Sequence, residues 1–223
     1  MNKERRQEIF QRFAAHDPNP KSELHYDSPF ELLVAVILSA QATDASVNKA
    51  TAILFKVANT PKKMLALGKG GLENYIRSIG LYRSKARYII QASAIIDKDF
   101  SGKIPFYKKD LLRLPGVGEK TANVVLNTLR AAPVIAVDTH VFRVSNRTGL
   151  ARGKTVAEIE KKLMTSTPKN YLVQAHHWLV LHGRYICKAR KPLCEQCFIA
   201  DLCDYYRNCL LYTSPSPRDG LLS

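Results

Sequence analysis

The sequence predicts an all-α protein of about ten short helices, and three observations carry that reading. Apolar residues recur at spacings of three and four, in Ile9, Phe10 and Phe13, in Leu32, Leu33, Val36 and Ile37, and in Val124, Val125 and Leu129; this is the period of a helix with one buried face. Strand-like alternation is scarce. Turn signals fall at short intervals: Asp17 to Pro20, Thr60-Pro61, Gly68 to Gly71, Gly80, Gly102 to Pro105, Pro115 to Gly118, Ala132-Pro133, Gly149 to Gly153 and Thr167-Pro168.

Between these breaks the helices announce themselves in order. The first carries Ile9, Phe10 and Phe13. Ser28 followed by Pro29 and Phe30 starts the second, FELLVAVILSA, an apolar run of Phe30 to Ala40 interrupted by Glu31. It is shorter than the roughly 20 residues a membrane span needs and reads as a core helix. Asp44 opens DASVNKATAILF. Thr155 with Glu158 three residues later forms a capping-box pattern. From Leu210 the chain reads LLYTSPSPRDGLLS, without period. Residues 210–223 are expected to form a disordered, non-native tail.

The 223 residues carry 34 Lys and Arg against 19 Asp and Glu, a net charge of +15. That excess exceeds what solubility requires and points to a polyanionic partner. The basic residues are spread along the chain rather than gathered on one amphipathic helix, which favours nucleic acid over a membrane surface. The N-terminus, MNKERRQEIFQRF, lacks the apolar run of a secretory signal, so the protein is expected in the cytoplasm.

Four of the five cysteines, Cys187, Cys194, Cys197 and Cys203, fall in a C-x6-C-x2-C-x5-C pattern. Four thiolates so close in sequence can surround one metal centre. An odd cysteine count in a leaderless chain argues against disulfides. Zinc sites usually pair their cysteines, whereas here only Cys194 and Cys197 are close, so the spacing leans toward an iron–sulfur cluster and leaves zinc open. Lys188, Arg190 and Lys191 lie in the loop between the first two ligands, where a pinned segment can present cations to a phosphate backbone. The fifth cysteine, Cys209, is surplus.

LPGVGEKTA, from Leu114 to Ala122, reads as a helix-hairpin-helix, a device for gripping DNA without reading bases. Gly116 and Gly118 allow a tight turn and close approach to a phosphate. Lys120 sits in the first turn of the following helix, where the dipole disfavours a second cation. It is either a nucleophile of lyase type or a phosphate contact. Asp138 follows the apolar stretch Val134 to Val137 and precedes a helix bearing Val141, Phe142 and Val144. It can cap that helix and also stabilise positive charge developing at a sugar C1′.

With LPGVGEKTANVVL, VDTHVFRVSNRTGL and the cysteine loop in that order, the chain closely resembles the bacterial endonuclease III family of helix-hairpin-helix DNA glycosylases. SPFELLVAVILSAQATDASVNKAT, IGLYRSKA and HHWLVLHGRYICKARKPLC extend the likeness to about Arg207. The resemblance implies two helical lobes, a six-helix barrel over residues 22–132 and a cluster lobe of residues 1–21 plus 133–209, with DNA across the cleft between them. It implies a bifunctional glycosylase and abasic-site lyase of base-excision repair, acting on duplex DNA with oxidised pyrimidines or abasic sites. It further implies a monomer, cytoplasmic and nucleoid-associated. By similarity the nucleophile falls on Lys120, the catalytic carboxylate on Asp138, and the ligands of a [4Fe–4S] cluster on Cys187, Cys194, Cys197 and Cys203. Gln41 and Leu81 match the residues that enter the duplex when the damaged nucleotide leaves the stack, with Ile79 nearby on the DNA-binding side; core packing for Leu81 and a loop hydrogen bond for Gln41 are the alternatives. Ser39, Asp44 and His140 are candidates for the base pocket, although such residues near helix starts also serve as caps.

Two competing readings are set beside this one. Mismatch-specific adenine glycosylases share the hairpin, the aspartate and the cluster, but lack a lysine at the position of Lys120. A DNA-binding or redox-sensing protein would use hairpin, basic loop and cluster for grip alone, with Lys120 on a phosphate.

Overall fold

The computed structural model describes residues 1–213, and the side chains of residues 1–208. Among the described residues there are eleven α-helices, three 3₁₀ turns and no strand, the all-α class that the periodicity predicts. Helix α1 (Lys3–His16) opens the chain. Then come α2 (Pro29–Ser39), α3 (Asp44–Val57), α4 (Pro61–Ile76), α5 (Tyr82–Asp99), α6 (Lys108–Leu111) and α7 (Glu119–Arg130). Four more follow: α8 (Thr139–Thr148), α9 (Val156–Ser166), α10 (Leu172–Tyr185) and α11 (Asp204–Thr213). The chain divides into two compact units, residues 22–134 and the two chain ends, 1–21 with 135 onward.

Helix α2 is the axis of the unit 22–134. It is apolar on every side, all residues from Phe30 to Leu38 are buried, and α3, α5 and α7 pack against it; a helix without a polar face belongs at the centre of its neighbours. The Ser28 hydroxyl accepts from the Glu31 N–H at 3.2 Å, and the buried Glu31 carboxylate accepts in turn from the Asp27 N–H at 2.6 Å. Losing such a cap costs about 1 kcal/mol. Helix α3 departs slightly from expectation. Its cap is Thr43, whose hydroxyl accepts from the Ser46 N–H, and Asp44 is the first helical residue, where its charge faces the positive end of the helix. Gly68 interrupts α4 with φ 70° and ψ 169°, a conformation open to glycine, so the break expected there is a kink between two helical segments.

In the other unit, α1 is fixed to the C-terminal turns. Arg12 makes two bonds to the Asp201 carboxylate, at 2.6 and 3.0 Å, and Arg5 reaches Asp204 at 2.7 Å. Phe10 and Phe13 pack against Trp178 of α10, whose indole N–H donates to the Asp17 carbonyl at 2.8 Å. Helices α8 and α10 cross closely at Gly183, where a Cβ would lie 2.7 Å from that of His140. Thr155 caps α9 as expected, and the Glu158 carboxylate reaches back to the Lys154 N–H at 2.9 Å.

The tail expected from Leu210 needs correction at its start. Helix α11 runs to Thr213, because Leu210, Leu211 and Tyr212 contain no breaker and the first one met is Pro215. Residues 214–223 lie outside the described residues, as does the Cys209 side chain.

Candidate functional site

The hairpin is built by α6, the turn Pro115 to Gly118 and α7. The Val117 N–H donates to the Leu114 carbonyl at 3.1 Å, and Lys108 pairs with Glu119 at 2.5 Å across the turn. Leu111, Leu114 and Val117 anchor it in the core. The two glycines differ in kind. Gly116 has φ 82°, and a Cβ there would lie 2.9 Å from the Tyr88 Cβ on α5, so the fold itself demands glycine. Gly118 has φ −93°, and a Cβ would meet no protein atom within 4 Å. Its bare backbone faces outward at the cap of α7. Lys120, the second residue of α7, is exposed just behind it.

Asp138 caps α8, its carboxylate accepting from the Val141 N–H at 2.8 Å. Ile135, Ala136 and Val137 before it are buried and Asp138 is half-buried, so the carboxylate is held at the edge of a core. His140 is half-buried on α8 with Nδ1 3.2 Å from the Arg143 guanidinium. Ser39 donates to the Val36 carbonyl at 2.9 Å, and Asp44 occupies the first turn of α3. Lys120, Ser39 and Asp44 belong to the unit 22–134, Asp138 and His140 to the other.

Gln41 and Leu81 share an unusual backbone: φ is 54° at Gln41 and 59° at Leu81, a region that side-chain-bearing residues rarely take. Both are exposed, Leu81 to 63%. Ile79 must be separated from them. Its side chain is 2% exposed within the core of its unit, and its N–H is taken by the Ile76 carbonyl. It anchors the turn that carries Leu81 and offers no side chain to a duplex. The two exposed residues are joined through Lys85, which no motif in the sequence singles out.

Cys187, Cys194, Cys197 and Cys203 line one small cavity with His182, Ile186, Pro192, Ile199 and Tyr205. Burial, reinforced by the negative charge of the other three sulfurs, pushes the Cys197 thiol up to about 11, and burial likewise raises Cys203. Four sulfurs around one apolar cavity, with burial opposing ionisation at Cys197 and Cys203, fit a cationic metal centre, which reverses that penalty. The cysteines stand around this cavity, an arrangement that fits a cluster held by four thiolates.

The loop is also held from α8. Arg147 donates to the carbonyls of Lys188 at 2.7 Å and Ala189 at 3.0 Å, and lies over the Tyr205 ring; Arg143 donates to those of Cys187 at 2.9 Å and Gly183 at 2.7 Å. Lys188, Arg190 and Lys191 remain exposed. Sequence reasoning misses both arginines. The available signal is two like charges four residues apart on one helix, a pairing that repels unless each has a partner elsewhere.

Comparison with known proteins agrees with these features. Residues 34–169 match the family model described as HhH-GPD superfamily base excision DNA repair protein, and residues 187–203 match the iron-sulfur binding domain of endonuclease III. The chain is 57% identical over 205 residues to endonuclease III of Escherichia coli K12, covering 92% of this chain and 97% of that protein. It is 58% identical over 200 residues to the Rickettsia prowazekii protein of the same name, covering 90% and 94%. A solved structure of a trapped endonuclease III–DNA covalent intermediate is similar at a TM-score of 0.87 and 44% identity, over 94% of this chain and 99% of that one.

Proposed function

Since the chain belongs to the endonuclease III family of base-excision repair enzymes, we propose that it removes oxidised pyrimidines from duplex DNA, with Lys120 as nucleophile and Asp138 as its carboxylate partner. Membership makes it a bifunctional DNA glycosylase and abasic-site lyase with DNA as partner and a [4Fe–4S] cluster as cofactor. The observation that carries the residue assignment is the pairing of Lys120 with an outward-facing glycine turn: Gly118 leaves room beside the α7 N-terminus where no protein atom stands. A DNA phosphate docked there meets the N–H groups opening α7 and sets the sugar within reach of the next turn.

In this reading the neutral amine of Lys120 attacks C1′ of the extruded nucleotide. The bond from C1′ to the base nitrogen breaks and the base leaves with the bonding electrons. The Asp138 carboxylate stabilises the positive charge that develops on the sugar. The attached amine gives up a proton, the C1′–O4′ bond then opens as O4′ takes up a proton, and the nitrogen lone pair forms the iminium between Nζ and C1′. Removal of a C2′ proton then expels the 3′ phosphate by β-elimination, and water releases the enzyme. Gln41 and Leu81 enter the duplex in place of the departed nucleotide. Ser39, Asp44 and His140 contribute to the base pocket. Cys187, Cys194, Cys197 and Cys203 would hold the cluster, which when bound supplies metal–sulfur bonds that pin the loop bearing Lys188, Arg190 and Lys191 for phosphate contact.

We also propose that the enzyme acts as a monomer in the bacterial cytoplasm, associated with the nucleoid through its DNA affinity. The reading is tested by single-turnover assays on duplexes bearing an oxidised pyrimidine, an oxidised purine, or adenine in a mismatch. Base release and strand cleavage on the first, far above the other two, are expected. Preference for either purine substrate would overturn the assignment, and sedimentation as anything larger than a 25.1 kDa chain would overturn the monomer.

A further inference from the structure

We infer that Lys85 is a positioning residue that holds Gln41 and Leu81 in one rigid frame, so that both enter the duplex together. This inference rests on the reading that Gln41 and Leu81 are the residues that do so.

Lys85 lies in the first turn of α5, four residues after Leu81. Its main-chain N–H donates to the Leu81 carbonyl at 3.0 Å. Its side chain runs inward to the end of α2, where Nζ donates to the carbonyls of Leu38 at 2.9 Å and Ala40 at 2.6 Å. Ala40 immediately precedes Gln41. One residue therefore grips one positive-φ residue by its main chain and the neighbour of the other by its side chain.

The residue type suits that task. Helix α2 ends without a glycine cap, Ala40 standing at φ −58° and ψ 116°, so the carbonyls of its last turn need donors from outside. An ammonium supplies several at once and sits at the negative end of the α2 dipole. Lys85 is only 4% exposed, and no carboxylate pairs with it among the described residues. Burying a cation without a counter-ion is costly, and a turn closed for stability alone could use a neutral donor. Leu81 has no side-chain capping bond of its own. Both strained residues are exposed, which the core does not reward, so the frame that keeps them strained serves what lies outside the fold.

The geometry predicts an unusual pattern of loss. Filling the gap left by an extruded nucleotide matters when the lesion faces an intact base, and much less when it faces an abasic site and leaves no partner behind. Lys85→Met keeps the stem and removes the donors. Lys85→Gln keeps one donor group but is too short to span both carbonyls, and serves if the first variant does not fold. Single-turnover base release is measured for holoenzyme on both duplexes, beside wild type and a Gln41→Ala/Leu81→Ala variant, with melting temperature recorded for each.

The inference expects the Lys85 variants to slow about tenfold or more on the base-paired lesion, the order that small misplacements produce. On the lesion opposite an abasic site they stay within about twofold, a difference too small to count as misplacement on that scale. Combining Lys85→Met or Lys85→Gln with Gln41→Ala/Leu81→Ala should add no further loss, the signature of residues acting as one unit. Equal slowing on both duplexes, or losses that multiply in the combined variant, would overturn the inference and leave Lys85 a stability residue. Wild-type rates from Gln41→Ala/Leu81→Ala on the paired lesion would instead overturn the reading of those two residues, and the inference with it. Slow Gln41→Ala/Leu81→Ala beside fast Lys85 variants would overturn the inference alone.

Discussion

The same substitution made two residues apart in the hairpin should act on two different properties. Gly116→Ala forces a side chain into φ 82° and brings its Cβ to 2.9 Å from the Cβ of Tyr88. The left-handed conformation costs about 1–2 kcal/mol and the overpacking about 1–3 kcal/mol. For a chain of this length each kcal/mol lowers the melting temperature by about 2–4 °C, so a drop of about 4–20 °C is expected. Gly118→Ala meets no atom within 4 Å and sits at φ −93°. The poorer cap costs less than about 1 kcal/mol, and the reduced entropy of the unfolded chain offsets about 0.4–1 kcal/mol of it. The melting temperature should scarcely move. The new methyl group instead occupies space proposed for a phosphate, and affinity for duplex DNA should fall about tenfold or more, the worth of one hydrogen bond to a charged group. Calorimetry and fluorescence anisotropy on the same two preparations separate the effects. A Gly118→Ala protein that melts as early as Gly116→Ala, or that binds duplex with wild-type affinity, would refute the argument that one glycine serves the fold and the other the ligand.

Other consequences bear on the cluster loop and on acid stability. Replacing Lys188, Arg190 and Lys191 together by Ala should flatten the dependence of log affinity on log salt by about 0.9 for each phosphate that these cations neutralise, without altering the melting temperature; an unchanged slope would place the phosphates elsewhere. Arg147→Ala removes the bonds to the Lys188 and Ala189 carbonyls, so the visible absorbance of the cluster should decay about tenfold faster or more under an iron chelator, since each charge-assisted bond contributes about 1.5–3 kcal/mol. An unaltered decay would mean that the cluster alone orders the loop. His177 is held below its ordinary value, first by burial and against the pull of Asp17. The unfolded chain therefore takes up this proton first, and the stability present above the unfolded value of 6.5 is lost as pH falls toward the folded value. Melting temperature should drop less between pH 7 and 5 in His177→Gln than in wild type, and parallel curves would contradict this.

Features written in local chemistry are legible in the sequence. Ser28 before Pro29, Thr155 before Glu158, and Asp138 after an apolar stretch all cap the helices they precede, because a cap is decided by residues within one turn. The apolar run of α2 marks its place at the centre of its unit for the same reason. The cysteine spacing marks out a metal loop, and the helix-hairpin-helix stands in nine residues. What escapes depends on partners distant in sequence. Lys85 reads as one more surface lysine until the end of α2, 45 residues earlier, is seen to lack donors. Arg143 and Arg147 read as part of the basic surplus until the carbonyls of a loop more than 40 residues later come to meet them. Proximity in sequence groups Ile79 with Leu81, yet the turn at Gly80 sends one side chain into the core and the other outward. Asp44 yields the cap position to Thr43 by one residue, within the uncertainty of any helix boundary.

The assignment of Lys120 as the attacking amine is tested most directly by borohydride reduction during turnover on a duplex with an abasic site, comparing wild type with Lys120→Ala and confirming that both still bind DNA. The account predicts a covalent protein–DNA adduct from wild type, mapped to Lys120 by peptide mass, and none from the variant. An adduct of equal yield from Lys120→Ala, or none from wild-type protein that binds DNA and retains its cluster, would contradict it.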